Sequence, residues 1–173
     1  MSGSEIFRGK LILAVDDEED ILEIIQEALS EFAGVTLHTA TSFEKAWECL
    51  VSYTYDLVIL DIMGVRGFEL LKFAVKQNFP AVMLTAHALN PESLKKSIEL
   101  GARAYLPKEK LNSLVPFLED VLRLSYQSVW QRALDHVATL FDSRFGSDWR
   151  KSEQEFWNDF EKTLQMDEAA IIK

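Results

Sequence analysis

The sequence has few of the residues that mark several common protein classes. Its 173 residues include one cysteine, Cys49, which excludes an internal disulfide framework and favours a reducing compartment. Its 18 basic residues stand against 28 acidic ones, and the resulting net charge of −10 argues against nucleic-acid binding. The chain lacks both a transmembrane-length apolar run and the apolar region of a signal peptide. These absences predict a soluble, cytoplasmic protein that binds neither nucleic acid nor membrane.

Short apolar runs alternate with longer amphipathic segments over the first two thirds of the chain. Five runs are predicted as strands, namely 11–15, 35–39, 57–60, 81–84 and 103–106. Each is followed by a segment whose apolar residues recur at helical spacing, such as 90–101 with Asn, Pro and Gly at its ends. This strand–helix repeat predicts an α/β fold, in which a parallel sheet carries helices on both faces.

Polar residues follow directly after four of the five predicted strands. Asp16 and Asp17 follow the first strand, Asp61 the third, Thr85 the fourth, and Lys108, one residue further on, the fifth. The carboxyl ends of parallel strands meet at one edge of the sheet, where such folds bind ligands. Carboxylates crowded there need a counter-charge, which Mg²⁺ with oxygen ligands would supply. A carboxylate at this edge would also serve as a nucleophile that forms an aspartyl-phosphate, and Asp61 is the best placed.

The motifs at these strand ends resemble those of one family, the receiver domains of two-component response regulators. The stretch "VDDEED" is similar to the acidic pair of that family, "LVILDIM" to its phosphoacceptor strand, "MLTA" to its switch threonine and "YLPK" to its lysine. The four motifs stand in order, each at the end of its own predicted strand. The resemblance covers about residues 8–124 and implies a CheY-like, flavodoxin-like, doubly wound five-stranded sheet of order 2-1-3-4-5.

The resemblance implies a role for the residues that would handle a phosphoryl group. Asp61 would accept it from the phosphohistidine of a histidine kinase or a phosphotransfer protein. Lys108 and Thr85 would hold the phosphoryl oxygens by charge and by hydrogen bond. Tyr105 resembles the aromatic residue that swings inward when the switch threonine moves. Its other interpretation is an ordinary aromatic residue at the sheet edge.

The resemblance also implies the ligands of a Mg²⁺ cofactor. Asp17 and Asp61 would bind the ion directly, Asp16 would bind it mostly through water, and the backbone carbonyl of Met63 would complete the protein ligands. We assign the remaining acidic residues, 18–20, to the first turn of a helix, where negative charge favours the helix dipole.

The implied function is a phosphoacceptor response regulator of a two-component system or phosphorelay, which is not an enzyme beyond its own phosphorylation and dephosphorylation. Phosphorylation would bias a surface of the fourth helix, fifth strand and fifth helix toward a downstream protein. A phosphorylation-independent adaptor is one alternative. A Mg²⁺-dependent phosphohydrolase is another, although it needs a second acidic residue at the position of Met63.

Two departures from the family pattern affect the predicted site. The stretch "DIMGVRGFELL" after the acceptor is two residues shorter than usual and lacks the usual proline. Lys108 is followed by Glu109, where the family usually has a cis-proline. We expect the Lys108–Glu109 bond to be trans or strained, because a cis bond without proline costs about 3 kcal/mol.

The last 49 residues, 125–173, are predicted as a helical extension of the receiver. The helical pattern runs on from the fifth receiver helix to about residue 142, and a second helix is predicted over about 152–166. Aromatic residues are concentrated here, and we assign a partner or homodimer surface to Tyr126, Trp130, Phe141, Trp149, Phe156, Trp157 and Phe160. The alternative is that the two helices pack back on the receiver or close on each other.

Overall fold

Five parallel strands form the centre of the molecule, whose residues 3–166 are described by a computed structural model. The strands are β1 (Leu11–Val15), β2 (Thr36–Ala40), β3 (Leu57–Asp61), β4 (Ala81–Thr85) and β5 (Ala104–Pro107). Their order in the sheet is β2-β1-β3-β4-β5. Every residue of β3 and β4 is buried, as expected for apolar strands covered on both faces. The predicted doubly wound fold is therefore confirmed.

Five helices alternate with the strands and divide between the two faces of the sheet. They are α1 (Glu19–Ser30), α2 (Phe43–Ser52), α3 (Gly67–Lys76), α4 (Pro91–Glu99) and α5 (Leu114–Arg123). Apolar residues of α1 and α5 pack on one face, and those of α2, α3 and α4 pack on the other. The helix α4 begins where its sequence predicts, because the Asn90 side chain accepts a hydrogen bond from the Ser93 N–H at 2.8 Å.

The extension consists of two helices that are separate from α5. The helix α5 ends at Arg123, Leu124 is extended, and α6 (Tyr126–Phe145) begins behind Ser125, whose side chain accepts a hydrogen bond from the Ser128 N–H. The prediction of one continuous helix to about residue 142 was therefore wrong, since a capped break interrupts it. A short 3₁₀ segment (Lys151–Glu153) and α7 (Gln154–Gln165) follow, close to the predicted second helix. We call residues 126–165 the hairpin.

The hairpin packs back on the receiver, with α6 beside the edge strand β5. The Trp130 side chain is fully buried, and its Nε1–H donates a hydrogen bond to the Ala102 carbonyl oxygen at 3.1 Å. Four more of the hairpin's aromatic residues are buried, namely Phe141, Trp149, Trp157 and Phe160. Tyr126 and Phe156 are partly buried.

This burial corrects the assignment of the five buried residues to a partner or dimer surface, whereas for the partly buried Tyr126 and Phe156 that assignment stays a prediction. The apolar stripe of α6 already has a receiver face to cover, because β5 is an edge strand and its flank needs a neighbour. Dimerisation stays a prediction, but it has no support from these side chains. Among residues 3–166, no helix combines the length and apolar character that crossing a membrane requires.

Candidate functional site

The register of the sheet brings the predicted site residues to one edge. Residues 12–15 of β1 pair with residues 57–60 of β3, so Asp16 follows β1 beside Asp61 at the end of β3. Thr85 ends β4 and pairs with the last residue of β5, directly before Lys108. We call these four residues, together with Asp17 and Glu18, the rim.

Lys108 connects the carboxylates of the rim. Its Nζ lies 2.7 Å from Asp16 Oδ2 and 3.2 Å from Asp61 Oδ1, and the side chain is only 6% exposed. Its Nζ also donates to Glu18 Oε1 at 3.1 Å. The described residues contain no cis peptide bond, so the Lys108–Glu109 bond is trans, as expected. The missing proline therefore does not turn the ammonium group away from Asp61.

Burial and like charge make the Asp61 carboxyl group hard to ionise. Burial, and next the neighbouring charge of Asp16, raise the pKa of Asp61 to about 7, although the Lys108 ammonium opposes them. Desolvation likewise raises the pKa of Asp16, against the hydrogen bond from Lys108. Burial lowers the pKa of Lys108, but its bond to Asp16 and the charge of Asp61 outweigh burial and raise it overall. Lys108 thus keeps its positive charge, whereas burial opposes the ionisation of the Asp16 and Asp61 carboxyl groups beside it.

Thr85 and Tyr105 are linked through the turn after β4. Thr85 is 1% exposed, and its Oγ1 accepts a hydrogen bond from the Ala88 N–H at 3.0 Å. Tyr105 is also 1% exposed, and its hydroxyl lies 2.8 Å from Ser93 Oγ. Burial raises the pKa of Tyr105 to about 12, so the hydroxyl keeps its proton. The predicted switch residue therefore points inward.

The donor set of the rim fits a hard divalent cation. Carboxylate oxygens of Asp16, Asp17 and Glu18 lie within 4.8 Å of one another. Asp16 Oδ2 is buried and forms an ion pair with Lys108 Nζ at 2.7 Å, so one ammonium group faces several carboxylates. Oxygen-only donors with unsatisfied negative charge are the kind of site that Mg²⁺ occupies. The acidic cluster therefore has the chemistry for Mg²⁺ binding.

Glu18 is the rim residue that sequence reasoning missed. We assigned it to the first turn of a helix, but it precedes α1, its carboxylate lies within 4.8 Å of those of Asp16 and Asp17, and it pairs with Lys108. Its backbone N–H also donates to Asp16 Oδ1 at 2.9 Å. The only signal in the sequence is its position directly after the acidic pair, which an ordinary first-turn residue would share.

The short loop after Asp61 depends on two glycines. Gly64 has φ +89°, and a Cβ atom there would lie 2.5 Å from Asp17 Oδ2. A Cβ atom at Gly67 would lie 2.0 Å from the backbone oxygen of Asp61. The Met63 side chain in the same loop is 53% exposed. The loop thus packs tightly against the Asp17 carboxylate and the backbone of Asp61.

Fold and rim together define a class of protein: a doubly wound α/β domain with a buried lysine–carboxylate cluster at the carboxyl ends of its strands. The sequence over residues 12–118 matches the response regulator receiver domain family. The chain therefore belongs to that family, and the resemblance of its four motifs is confirmed.

Relatives and solved structures agree with this assignment. The phosphate regulon transcriptional regulatory protein PhoB of Pseudomonas aeruginosa is 36% identical over 122 residues, which are 66% of this chain and 52% of that protein. The transcriptional regulatory protein YrkP of Bacillus subtilis is 30% identical over 94% of this chain and 70% of that protein. The receiver domain of NtrX from Brucella abortus is 34% identical, with a TM-score of 0.58 over 66% of this chain and 99% of that chain. The chain spans about half the length of PhoB.

Proposed function

We propose that this chain is a phosphoacceptor response regulator whose Asp61 takes a phosphoryl group from a histidine kinase or phosphotransfer protein. The observation that carries the proposal is the buried Lys108 ammonium, whose Nζ contacts both Asp16 and Asp61. A lysine between two buried carboxylates places positive charge where the oxygens of a transferred phosphoryl group would lie. The output is a protein–protein interaction in the cytoplasm. The free thiol of Cys49 fits that reducing compartment.

The chemistry is a transfer between a nitrogen and an oxygen nucleophile. An ionised Asp61 oxygen attacks the phosphorus of a phosphohistidine, the P–N bond breaks, and the histidine nitrogen leaves with the bonding electron pair. Lys108 stabilises the added negative charge, and the Thr85 hydroxyl donates to a phosphoryl oxygen. Asp16, Asp17 and Asp61, with the Met63 carbonyl oxygen, would hold Mg²⁺, which when bound offsets the charge of both carboxylates and phosphoryl group.

The raised pKa of Asp61 gives the metal a second effect. Near neutral pH a large fraction of Asp61 is protonated in the metal-free protein, and a protonated carboxyl group is a poor nucleophile. A cation bound to the rim favours the ionised form, which prepares Asp61 for attack. Phosphorylation of this chain is therefore expected to need Mg²⁺.

The direct test is phosphorylation of the full-length chain by acetyl phosphate with Mg²⁺, followed by intact mass measurement. Wild type is expected to gain one phosphoryl group, and Asp61→Asn none. Asp20→Asn is the matched control, because Asp20 is an exposed carboxylate in the first turn of α1 and lies outside the rim. Equal labelling of Asp61→Asn and wild type would contradict the proposal.

A second candidate, favoured by the unusually short loop over Asp17, is an adaptor that binds its partner without phosphorylation. The same experiment separates the two. A folded wild-type protein that binds Mg²⁺ but never gains a phosphoryl mass supports the adaptor.

A further inference from the structure

The hairpin packs on the receiver beside β5, the strand that carries the predicted switch residue Tyr105. Trp130 of α6 donates its Nε1–H to the Ala102 carbonyl oxygen, just before β5. Trp130 and Tyr105 belong to one continuous apolar cluster that also contains Phe160 and Leu164 of α7. Tyr105 and the hairpin thus belong to the same apolar core.

Polar contacts tie the hairpin to the receiver at two further places. Lys95 of α4 places its Nζ 2.9 Å from Glu153 Oε2 and 5.2 Å from the ring centre of Phe156. Arg144, in the last turn of α6, contacts Glu109 Oε1 at 2.7 Å. Glu109 directly follows Lys108. The hairpin therefore contacts both α4 and the segment that carries the rim lysine.

A series of hydrogen bonds leads from the shared interior to the acceptor site. The Tyr105 hydroxyl pairs with Ser93 Oγ, and Ser93 Oγ donates to the Ala88 carbonyl oxygen. The N–H of Ala88 then donates to Thr85 Oγ1 at 3.0 Å, beside Asp61 at the rim. Hydrogen bonds from Tyr105 and Ser93 therefore fix the turn at Ala88, which in turn orients Thr85.

We propose that the hairpin is a cis partner of the receiver that braces the switch: when it is docked, it keeps Tyr105 buried and so holds Thr85 ready for a phosphoryl group. The docked hairpin, the buried Tyr105 and the complete rim occur together in one structure, and we take positive coupling between docking and phosphoryl binding as the sign to be tested. Because such coupling is reciprocal, phosphoryl occupancy and hairpin docking stabilise each other. The inference rests on the proposed function for its phosphoryl-binding part.

The test measures beryllofluoride binding with Mg²⁺ to the full-length protein by titration calorimetry, together with amide hydrogen exchange of residues 86–90. Trp130→Phe keeps the aromatic bulk and removes the N–H donor to Ala102. We expect this variant to bind beryllofluoride about fivefold more weakly and to exchange faster at residues 86–90. Unchanged or tighter binding, in a variant whose hairpin amides exchange faster, would overturn the brace.

A matched pair of surface variants checks the same link without disturbing the core. Glu153 and Glu161 have side chains exposed to 53% and 52%, but Glu153 contacts Lys95 of the receiver, whereas Glu161 contacts only Arg150 of the extension. Glu153→Ala is expected to speed exchange at residues 86–90 measurably, and Glu161→Ala is not. Equal effects of the two variants would count against the brace.

A cross-link covers the case in which Trp130→Phe fails to fold. In a Cys49→Ser background, Lys95→Cys and Glu153→Cys are joined by a short bis-maleimide, which holds the hairpin docked. Cross-linking is expected to restore slow exchange at residues 86–90 relative to the unlinked pair, and no restoration overturns the proposal. If wild type binds no beryllofluoride, the proposed function fails, while hydrogen exchange still decides the brace.

Discussion

The rim and the hairpin are stabilised in different ways. The rim gathers four carboxylates around one lysine, and burial of Asp61 and Asp16 works against their ionisation. The hairpin gathers aromatic residues around Trp130, whose packing and one satisfied N–H stabilise the fold. The buried carboxylates of the rim therefore lower the stability of the fold, whereas the packed hairpin raises it at the neighbouring edge of the sheet. Perturbing each region should move stability in opposite directions.

The largest expected effect is loss of stability from Trp130→Ala. Removal of a fully buried indole leaves a cavity at the junction of hairpin and receiver, which should lower the free energy of unfolding by about 3–5 kcal/mol. Urea titration followed by circular dichroism measures it. Trp47→Ala is the control, because Trp47 is 40% exposed and should cost much less. Similar losses for both variants would mean that Trp130 does not anchor the hairpin.

Asp61→Asn should act in the opposite direction and stabilise the metal-free protein at pH 8. With its pKa raised to about 7, Asp61 binds a proton in the folded chain at pH values where it is ionised in the unfolded chain. The stability of wild type should therefore fall as pH rises from about 4 to about 7, and the asparagine variant lacks this loss.

The expected gain at pH 8 is about 1–3 kcal/mol in the free energy of unfolding, measured by urea titration without divalent cations. At pH 4 the two proteins should differ little, because Asp61 is then protonated in the folded chain and still about half protonated in the unfolded chain. If the variant is less stable than wild type at pH 8, ionised Asp61 does not destabilise the metal-free fold, and this explanation is wrong.

Mg²⁺ should offset the free-energy cost of keeping the buried carboxylates of the rim ionised. At ten times its dissociation constant it should raise the free energy of unfolding of wild type by about 1.4 kcal/mol. Asp17→Asn should reduce this gain, and Asp20→Asn should not. Thermal unfolding with Mg²⁺ and with a chelator measures the difference. A Mg²⁺ effect that survives in Asp17→Asn would remove this residue from the ligand set.

The smallest effect is expected from variants of two glycines that both have a positive φ. Gly9→Ala and Gly64→Ala each place a side chain at positive φ, which costs about 1 kcal/mol. A Cβ atom at Gly9 meets no atom within 4 Å, whereas one at Gly64 meets the Asp17 carboxylate. Only Gly64→Ala should weaken Mg²⁺ binding, as titration calorimetry would show. Equal Mg²⁺ affinity in both variants would show that the loop does not position Asp17.

The rim could be predicted from sequence because strand ends and chain direction determine it. Asp16, Asp61 and Thr85 each follow an apolar run, and parallel strands bring such positions together whatever the loops do. Glu18 escaped this reasoning, because one position after the pair suits a helix start and a metal cluster equally well.

The hairpin could be predicted only in outline. Its apolar stripe predicted that Trp130 would be covered, and we assigned that cover to a partner or a second copy, whereas the receiver supplies it, since periodicity gives a face and not a neighbour. The break at Leu124 and Ser125 was missed because apolar spacing continues on both sides of it and one serine supplies the cap.

The most direct test of the central claim is to locate the phosphoryl group after acetyl phosphate treatment with Mg²⁺. Borohydride reduces an aspartyl-phosphate to homoserine, which peptide mass spectrometry assigns to a position. We predict homoserine at position 61 alone, and only when Mg²⁺ is present. Homoserine at position 16 or 17, or none anywhere in a folded protein, would contradict the account.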